Sequence, residues 1–461
     1  MLDRLFNPTS IAIIGASANP AKSGSRFLKS LIDAKYTGRL YPINPTAGTI
    51  MGLESFKNIQ DVPGEIDLAI LAIPNSASLP AIADCAQKKV KFVIVHTAGF
   101  GETGAEGVEV QAEMVKLARE SKMRLVGPNC MGIYSPEARI DTITSYLEDP
   151  RKKEPGSVAF VGQSGWGTET VIQEGLSRGL NYSKVISMGN QSDLTMAEYF
   201  AYLAHDPKTR VISAYMEGLK NGRDLIRVGR ENASKKPIII WKSGRTQAGA
   251  KAAASHTGSM ASSNPILQAA FRQAGIISAE SVSELLDYLV AFNSPYLPQG
   301  RRVGILVEAG GGAVAAADTC EREGLTVPPF SDTFRREITD YLLSLGAPKP
   351  ATANPVDLVW PPYDETQKLI EKCLVMMFSE IDTLLWMTYF PLEDKKFAAT
   401  VANIRDKVQK PLFVVPANQL TQLNALDIYA RMGMPTFTRP EHAVKAISML
   451  VKFVEENPQK V

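Results

Sequence analysis

Three times along this chain an apolar run breaks into a glycine-rich turn and then into a helical pattern. The runs Ser10–Gly15, Ser157–Val161 and Arg302–Val307 lead into Gly15–Gly24 (GASANPAKSG), Gly162–Gly167 (GQSGWG) and Glu308–Ala313 (EAGGGA). Each opens a series in which short apolar strands alternate with helical stretches. That alternation predicts βαβ units with right-handed crossovers and a parallel sheet covered on both faces. The fold class is therefore α/β, with three consecutive parallel-sheet domains. Their expected bounds are 1–130, 150–295 and 300–461, separated by the polar stretch 135–155 and by NSPYLPQGRR at 293–302. A length of 461 residues suits such a division. Ligands of these sheets bind beyond the carboxyl ends of the strands, so chemistry is expected at those strand ends.

In the first series, strands are expected at Ser10–Gly15, Leu40–Asn44, Leu68–Ile73, Phe92–Thr97 and Met123–Val126, with helices such as Ser25–Ala34 and Gly107–Ser121. Small residues in the first turn let backbone amides approach a phosphate, the helix start adds a favourable dipole, and Lys22 adds charge. A nicotinamide dinucleotide fits poorly. The spacing is not GxGxxG, and the second strand ends in Asn44-Pro45 rather than in an acid for the ribose hydroxyls. The turn reads as a cradle for another nucleotide's pyrophosphate, or as a structural turn. Later strand ends carry Ile73-Pro74-Asn75, Thr97-Ala98-Gly99 and Gly127-Pro128-Asn129-Cys130 around the same crevice.

In the second series, Gln163 and Ser164 offer extra hydrogen-bonding groups at a helix start. The run VISAYM ends at Glu217, an acid that either caps a strand or orients an imidazole from the next loop. That loop, Gly244–Ser263 (GRTQAGAKAAASHTGSMASS), is thirteen-twentieths Ala, Gly and Ser, too little apolar bulk for a core, yet it carries His256. Histidine is suited to act as a nucleophile and then as a leaving group near neutral pH. The loop either delivers that imidazole or is an ordinary surface loop. In the third series Asn354-Pro355-Val356-Asp357-Leu358 puts a polar pair near the crevice.

Composition narrows the class. A net charge of +2 offers no case for nucleic acid or an acidic membrane surface. The four cysteines lie far apart, without CxxC or a neighbouring His, so buried free thiols are expected rather than zinc or disulfides. No apolar run approaches the roughly 18 residues of a membrane span. The N-terminal residues enter a strand by Ser10, without room for a leader. A cytoplasmic protein is expected.

The motifs GASANPAKSG, YPINP, AGFGETG, GPNC, GQSG, AYMEG, KSGR with AAASHTGS, AGGGA and NPVDL occur in this order. In that order they resemble the α subunits of nucleoside-diphosphate-forming acyl-CoA synthetases, the ADP-forming acetate–CoA ligases, and more distantly the succinyl-CoA synthetases. The likeness spans nearly the whole chain. It implies a Rossmann-like CoA-binding domain followed by two flavodoxin-like CoA-ligase domains. It implies CoA contacts at Gly15, Ala16, Ser17, Pro20, Lys22, Gly24, Asn44, Pro45, Ile73, Pro74, Asn75, Thr97, Ala98 and Gly99. His256 would become a phosphohistidine steadied by Glu217. Asn129, Gln163, Ser164, Gly165 and Trp166 would serve the phosphate and acyl group. Gly310, Gly311 and Gly312 would head a second helix sharing the phosphate. The reaction implied is acyl-CoA + phosphate + ADP giving acid + CoA + ATP, on a small carboxylic acid. No segment resembles an ATP-grasp domain, so ADP or ATP with Mg2+ is expected on an ATP-grasp β subunit, in an α2β2 assembly.

Three residues depart from the pattern. Glu169 stands where the succinyl enzymes carry a tyrosine, which argues against succinate. The indole of Trp166 stands where small residues are commoner. Glu308 precedes the third glycine turn where Asn is frequent. Two other classes compete with this reading. A nicotinamide oxidoreductase lacks its fingerprint here and leaves the His256 loop without a purpose. A CoA-binding regulatory or scaffold homologue without turnover would need neither His256 nor Glu217.

Overall fold

The computed structural model describes residues 2–46, 48–143, 154–249, 251, 264–308, 310–346, 350–358, 365–388, 394–416 and 423–460. The chain divides into two compact units, Met1–Gln173 with Asn181–Val282, and Glu174–Leu180 with Ser283–Val461.

In the first unit, β1 (Ser10–Ile14), β2 (Arg39–Ile43), β3 (Leu68–Leu71), β4 (Phe92–Val95) and β5 (Arg124–Val126) form a sheet of order β2-β1-β3-β4-β5. Every pairing in it is parallel. The sequences SIAII, LAIL and FVIV are apolar at consecutive positions and buried at nearly all of them, as strands covered on both faces must be. The helices α1 (Ser23–Asp33) and α2 (Ala105–Glu120) are among its crossovers.

A second, seven-stranded sheet follows in the same unit. Its strands are β6 (Gly132–Ser135), β7 (Ile140–Asp141), β8 (Val158–Gly162), β9 (Tyr182–Ser187), β10 (Val211–Met216), β11 (Ile238–Lys242) and β12 (Ile277–Ala279). They run in the order β12-β11-β10-β8-β9-β6-β7. The pairings from β12 to β9 are parallel, and β6 and β7 add antiparallel strands at the edge.

That edge revises the expectation of a linker over 135–155. Ile140, Asp141, Thr142 and Ile143 are buried, and residues 144–153 lie outside the described ones. The hairpin stitches the two sheets together instead. Ser30 Oγ on α1 donates to Asp141 O at 2.6 Å, and Ile133, Ile140 and Ile186 share one core with Leu28, Leu31 and Ile94. A further tie is Asp193, which is buried and accepts hydrogen bonds from Arg119, Arg124 and the Leu125 N–H. Within the second sheet's own layer, Lys184 and Asp206 form a buried ion pair, 2.6 Å, where Thr209 also donates to the carboxylate.

The second unit is built on a wholly parallel four-stranded sheet. Its strands are β13 (Val303–Val307), β14 (Val356–Asp357), β15 (Thr383–Thr388) and β16 (Leu412–Pro416), in the order β14-β13-β15-β16. The core on one side gathers Leu306, Phe334, Ile338, Leu374, Trp386 and Val401. Asp382 fixes the start of β15 by taking Arg302 in a two-point ion pair and its backbone N–H at 3.0 Å. The expectation of an α/β chain of successive, mostly parallel sheets is met by these three. Among the described residues, no helix is long and apolar enough to cross a membrane.

Candidate functional site

The first sheet assembles one edge of loops at the carboxyl ends of its strands. Gly15 has φ +90°, and a Cβ there would lie 2.4 Å from Ala72 O. A Cβ on Gly24 would lie 2.1 Å from Gly15 O, so the start of α1 sits directly on the turn. Asn44 bridges the next strand end, its Nδ2 donating to Ala16 O at 2.7 Å while its Oδ1 accepts from Thr46 N. Thr97 Oγ1 donates to Ile73 O at 2.5 Å, and Asn75 Nδ2 to Gly99 O at 3.3 Å. Lys22, Pro20, Pro45, Pro74, Asn75 and Ala98 are exposed there. Asn129, also exposed, donates its N–H to Thr97 O and its side-chain amide to Asn190 Oδ1. The residues expected to meet CoA therefore share one edge, cross-linked mainly through their backbones.

In the second sheet the strand ends of β8, β10 and β11 converge. The helix α3 (Gly165–Ser177) begins just after β8. Ser164 caps it, its Oγ accepting from Gly167 N at 3.2 Å and its carbonyl from Thr168 N. The N–H groups of Gly165 and Trp166 remain as the open donors of this helix start among the described residues, where the dipole favours an anion. The Trp166 side chain is 66% exposed. A Cβ on Gly165 would meet Met131 Sδ at 3.1 Å, so the loop after Asn129 borders the same spot.

Gln163 is turned the other way. Its side-chain oxygen accepts from Glu217 N and, at 2.9 Å, from Gly218 N, while its amide donates to Gly218 O at 2.9 Å. It grips the backbone that carries Glu217. The Glu217 carboxylate is partly buried, and its Oε1 accepts from the Tyr215 hydroxyl at 2.9 Å. Beside it Lys242 is only 4% exposed, its ammonium on the Ser243 carbonyl. Burial lowers the Lys242 pKa, against the pull of Glu217. Arg245, whose charge also acts on Lys242, donates through Nη2 to Glu280 at 3.2 Å, and its buried Nη1 has no partner among the described residues.

Sequence reasoning missed Tyr215, Lys242 and Arg245. Tyr215 was legible, because residues two apart in an extended strand share a face. The two cations were visible as KSGR but carried no stated role. His256 lies outside the described residues. The other histidines have local partners: His96 Nδ1 faces Cys130 O at 2.8 Å, His205 Nδ1 faces Ala201 O, and His442 Nδ1 meets Asp287 Oδ2 at 2.7 Å.

The second unit carries the third glycine turn by itself, with α4 (Gly310–Arg322) starting beyond β13. Cβ atoms on Gly310 and Gly312 would meet Asp357 Oδ2 at 2.8 Å and Met387 Cε at 2.5 Å, whereas Gly311 is open. Glu308 is 3% exposed and turned into the sheet, accepting from Thr388 Oγ1 at 2.7 Å and from Trp386 Nε1 at 3.4 Å. Its carboxylate is thus held inside rather than offered at the helix start. Asn354, expected to face the crevice, spends its side chain on backbone. It accepts from Ile305 N and donates to Val303 O and Pro328 O, filling places in the ladder beside β13.

Comparison with known proteins follows this division. Residues 9–136 match the CoA binding domain family, and residues 155–292 match the succinyl-CoA ligase like flavodoxin domain. The acetate–CoA ligase (ADP-forming) II subunit alpha of Pyrococcus furiosus is 34% identical over 458 residues, 98% of each chain. The chain belongs to the ADP-forming acetate–CoA ligase family, as an α-type chain. Within these ligases, the acetate–CoA ligase (ADP-forming) I of Archaeoglobus fulgidus is 33% identical over 98% of this chain, which spans 64% of that protein. A solved ligase structure, the dinucleotide forming acetyl-coenzyme A synthetase 1 of Ca. Korarchaeum cryptofilum in complex with phosphate and ADP, superposes with a TM-score of 0.89. It is 32% identical and covers 99% of this chain and 98% of that one. An oxidoreductase reading is thereby set aside.

Proposed function

We propose that this chain is the α subunit of an ADP-forming acyl-CoA synthetase that interconverts acyl-CoA, phosphate and ADP with a small carboxylic acid, CoA and ATP. CoA is held at the carboxyl edge of the first sheet, its pyrophosphate over the Gly15–Gly24 turn near Lys22 and its remaining length along Asn44–Pro45, Ile73–Asn75 and Thr97–Gly99. The tight seating of Gly24 on Gly15 O supports this reading, because it leaves backbone rather than side chains facing a ligand.

A phosphate oxygen attacks the thioester carbonyl, the C–S bond breaks, and CoA leaves as the thiol. Asn129, Ser164 and the open amides of Gly165 and Trp166 face the developing negative charge, where fixed donors act most strongly. The neutral imidazole of His256 then attacks phosphorus through one nitrogen. The P–O bond to the acyl group breaks, and the free acid departs. Glu217 accepts the N–H of the other nitrogen and steadies the positive charge that forms. The phosphohistidine finally gives its phosphoryl to ADP. ADP or ATP with Mg2+ belongs to a partner, which we take to be an ATP-grasp β subunit in an α2β2 assembly. The name of the Pyrococcus relative, a subunit alpha, supports a partner, as does the part of the Archaeoglobus enzyme that this chain does not match.

The observation that carries the proposal is the built presentation of Glu217, with its backbone clamped by Gln163 and its carboxylate held by Tyr215, one strand away from the segment leading to His256. The test uses the chain reconstituted with its natural partner, ATP labelled on the γ-phosphate, and Mg2+. Acid-labile phosphate should form on the wild-type α chain and be absent from His256→Ala. Equal labelling of the variant overturns the relay, and absence of labelling in both favours a non-turnover homologue.

A further inference from the structure

We propose that Tyr215 is a positioning residue for the phosphoryl relay, holding one oxygen of Glu217 so that the other is presented to the imidazole it serves. The inference rests on the relay reading above and adds a residue to it.

Tyr215 lies on β10 and Glu217 just beyond its end, two residues apart, so both project to one side of the strand. The phenol donates to Glu217 Oε1 at 2.9 Å. A carboxylate has two acceptor oxygens and a freely turning end, and a hydrogen bond to one of them restricts that turning and leaves the other open. The phenol is itself held. Its ring is buried, makes an edge contact with Trp241 at 4.6 Å between centroids, and lies against the Gly167 position, where a Cβ would be 3.4 Å from the ring. Trp241 is the register partner of Tyr215 on β11, so the contact is set by the sheet and not by a loop. Burial, with the charge of Glu217 adding to it, pushes the Tyr215 phenol up to about 12 despite an opposing effect of Ser243. It therefore stays a donor under all ordinary conditions.

The remaining neighbours do not duplicate this role. Gln163 holds the backbone of Glu217 and Gly218, not the carboxylate. The Lys242 ammonium is on the Ser243 carbonyl, and Arg245 reaches Glu280. A carboxylate freed from Tyr215 would be drawn towards Lys242, whose charge it already feels, and away from a neutral imidazole.

The experiment is Tyr215→Phe in the full chain with its partner. It keeps the ring, the Trp241 contact and the fit at Gly167 while deleting the donor. The maximal rate of phosphohistidine formation should fall on the order of tenfold, with the KM for ATP and the CoA affinity at wild-type values. A wild-type maximal rate overturns the inference. So does a loss in which KM and CoA affinity worsen together with the rate, because that pattern marks general distortion. Two controls separate this failure from that of the relay itself. If His256→Ala still labels, the relay fails. If His256→Ala and Glu217→Gln both lose the phosphohistidine while Tyr215→Phe behaves as wild type, the relay stands and Tyr215 has no part in it.

Discussion

Gly24 illustrates how little room a single position can have. A methyl group there would sit 2.1 Å from Gly15 O and 3.1 Å from Ala16 N, both backbone atoms that no rotamer change can move. Gly24→Ala must therefore push α1 off the turn. Overpacking of this kind costs about 1–3 kcal/mol, and the displaced amides would no longer converge on a ligand. The urea midpoint should drop accordingly, and calorimetry should show CoA binding weakened by roughly tenfold or more. Unchanged CoA affinity in a folded variant would remove the turn from the binding edge. The Glu217 corner has the opposite character, since its restraints are hydrogen bonds to the side chains of Gln163 and Tyr215 and are removed one side chain at a time.

At the scale of elements, charged side chains do much of the joining. Lys184 on β9 and Asp206 after the Met196–His205 helix form a pair that is almost fully buried. Lys184→Met leaves that carboxylate uncompensated, and a cost of about 3–5 kcal/mol is expected from such a break, read from chemical denaturation. Burial raises the Asp206 pKa, but the hydrogen bonds from Lys184 and Thr209 outweigh it, and the net shift is downward. In the second unit Arg302 likewise holds Asp382 low against its burial. A carboxyl whose folded pKa is depressed contributes stability above its unfolded pKa of about 3.9 and loses it as pH falls through the lower, folded value. The urea midpoint should thus be flat with respect to these groups above about pH 5 and decline on acidification below about pH 4. A midpoint that rises in that range would contradict the assignment.

Many of the same elements were legible in sequence. The strands starting at Ser10, Leu68, Phe92 and Val211 lie where apolar runs and glycine breaks put them, because their burial is written into consecutive residues. The β6–β7 hairpin was not legible. It contains Ser135 and Asp141 around a Pro136-Glu137 turn, and what makes it a buried edge arrives from elsewhere, through the Ser30 hydroxyl on Asp141 O and the core shared with Leu28, Leu31 and Ile94. Distance also hid the role of Gln163, whose partners lie 54 and 55 residues away. By contrast Glu217, at the end of VISAYM, could be singled out from its position alone.

For the whole molecule, the proposal divides labour between polypeptides, and ligand-induced stabilisation can read that division. Alone, the chain should gain about 2.7 kcal/mol from CoA at a hundredfold excess over the dissociation constant, with a matching rise in the thermal midpoint. ADP with Mg2+ should produce no comparable rise until the partner is added. Stabilisation by ADP alone would place the nucleotide site in this chain. One further property follows from where the sulfur atoms lie. Cys85, Cys130, Cys320 and Cys373 are all buried, and burial pushes the thiols of Cys130, Cys320 and Cys373 up to about 12 and that of Cys85 higher still. A mixed anhydride of a carboxylic and a phosphoric acid would acylate any thiolate it met. In the proposed reaction, sulfur that stays protonated and out of reach would leave that reactivity to the thiol carried in by the substrate, so the chain would be spared acylation by its own intermediate.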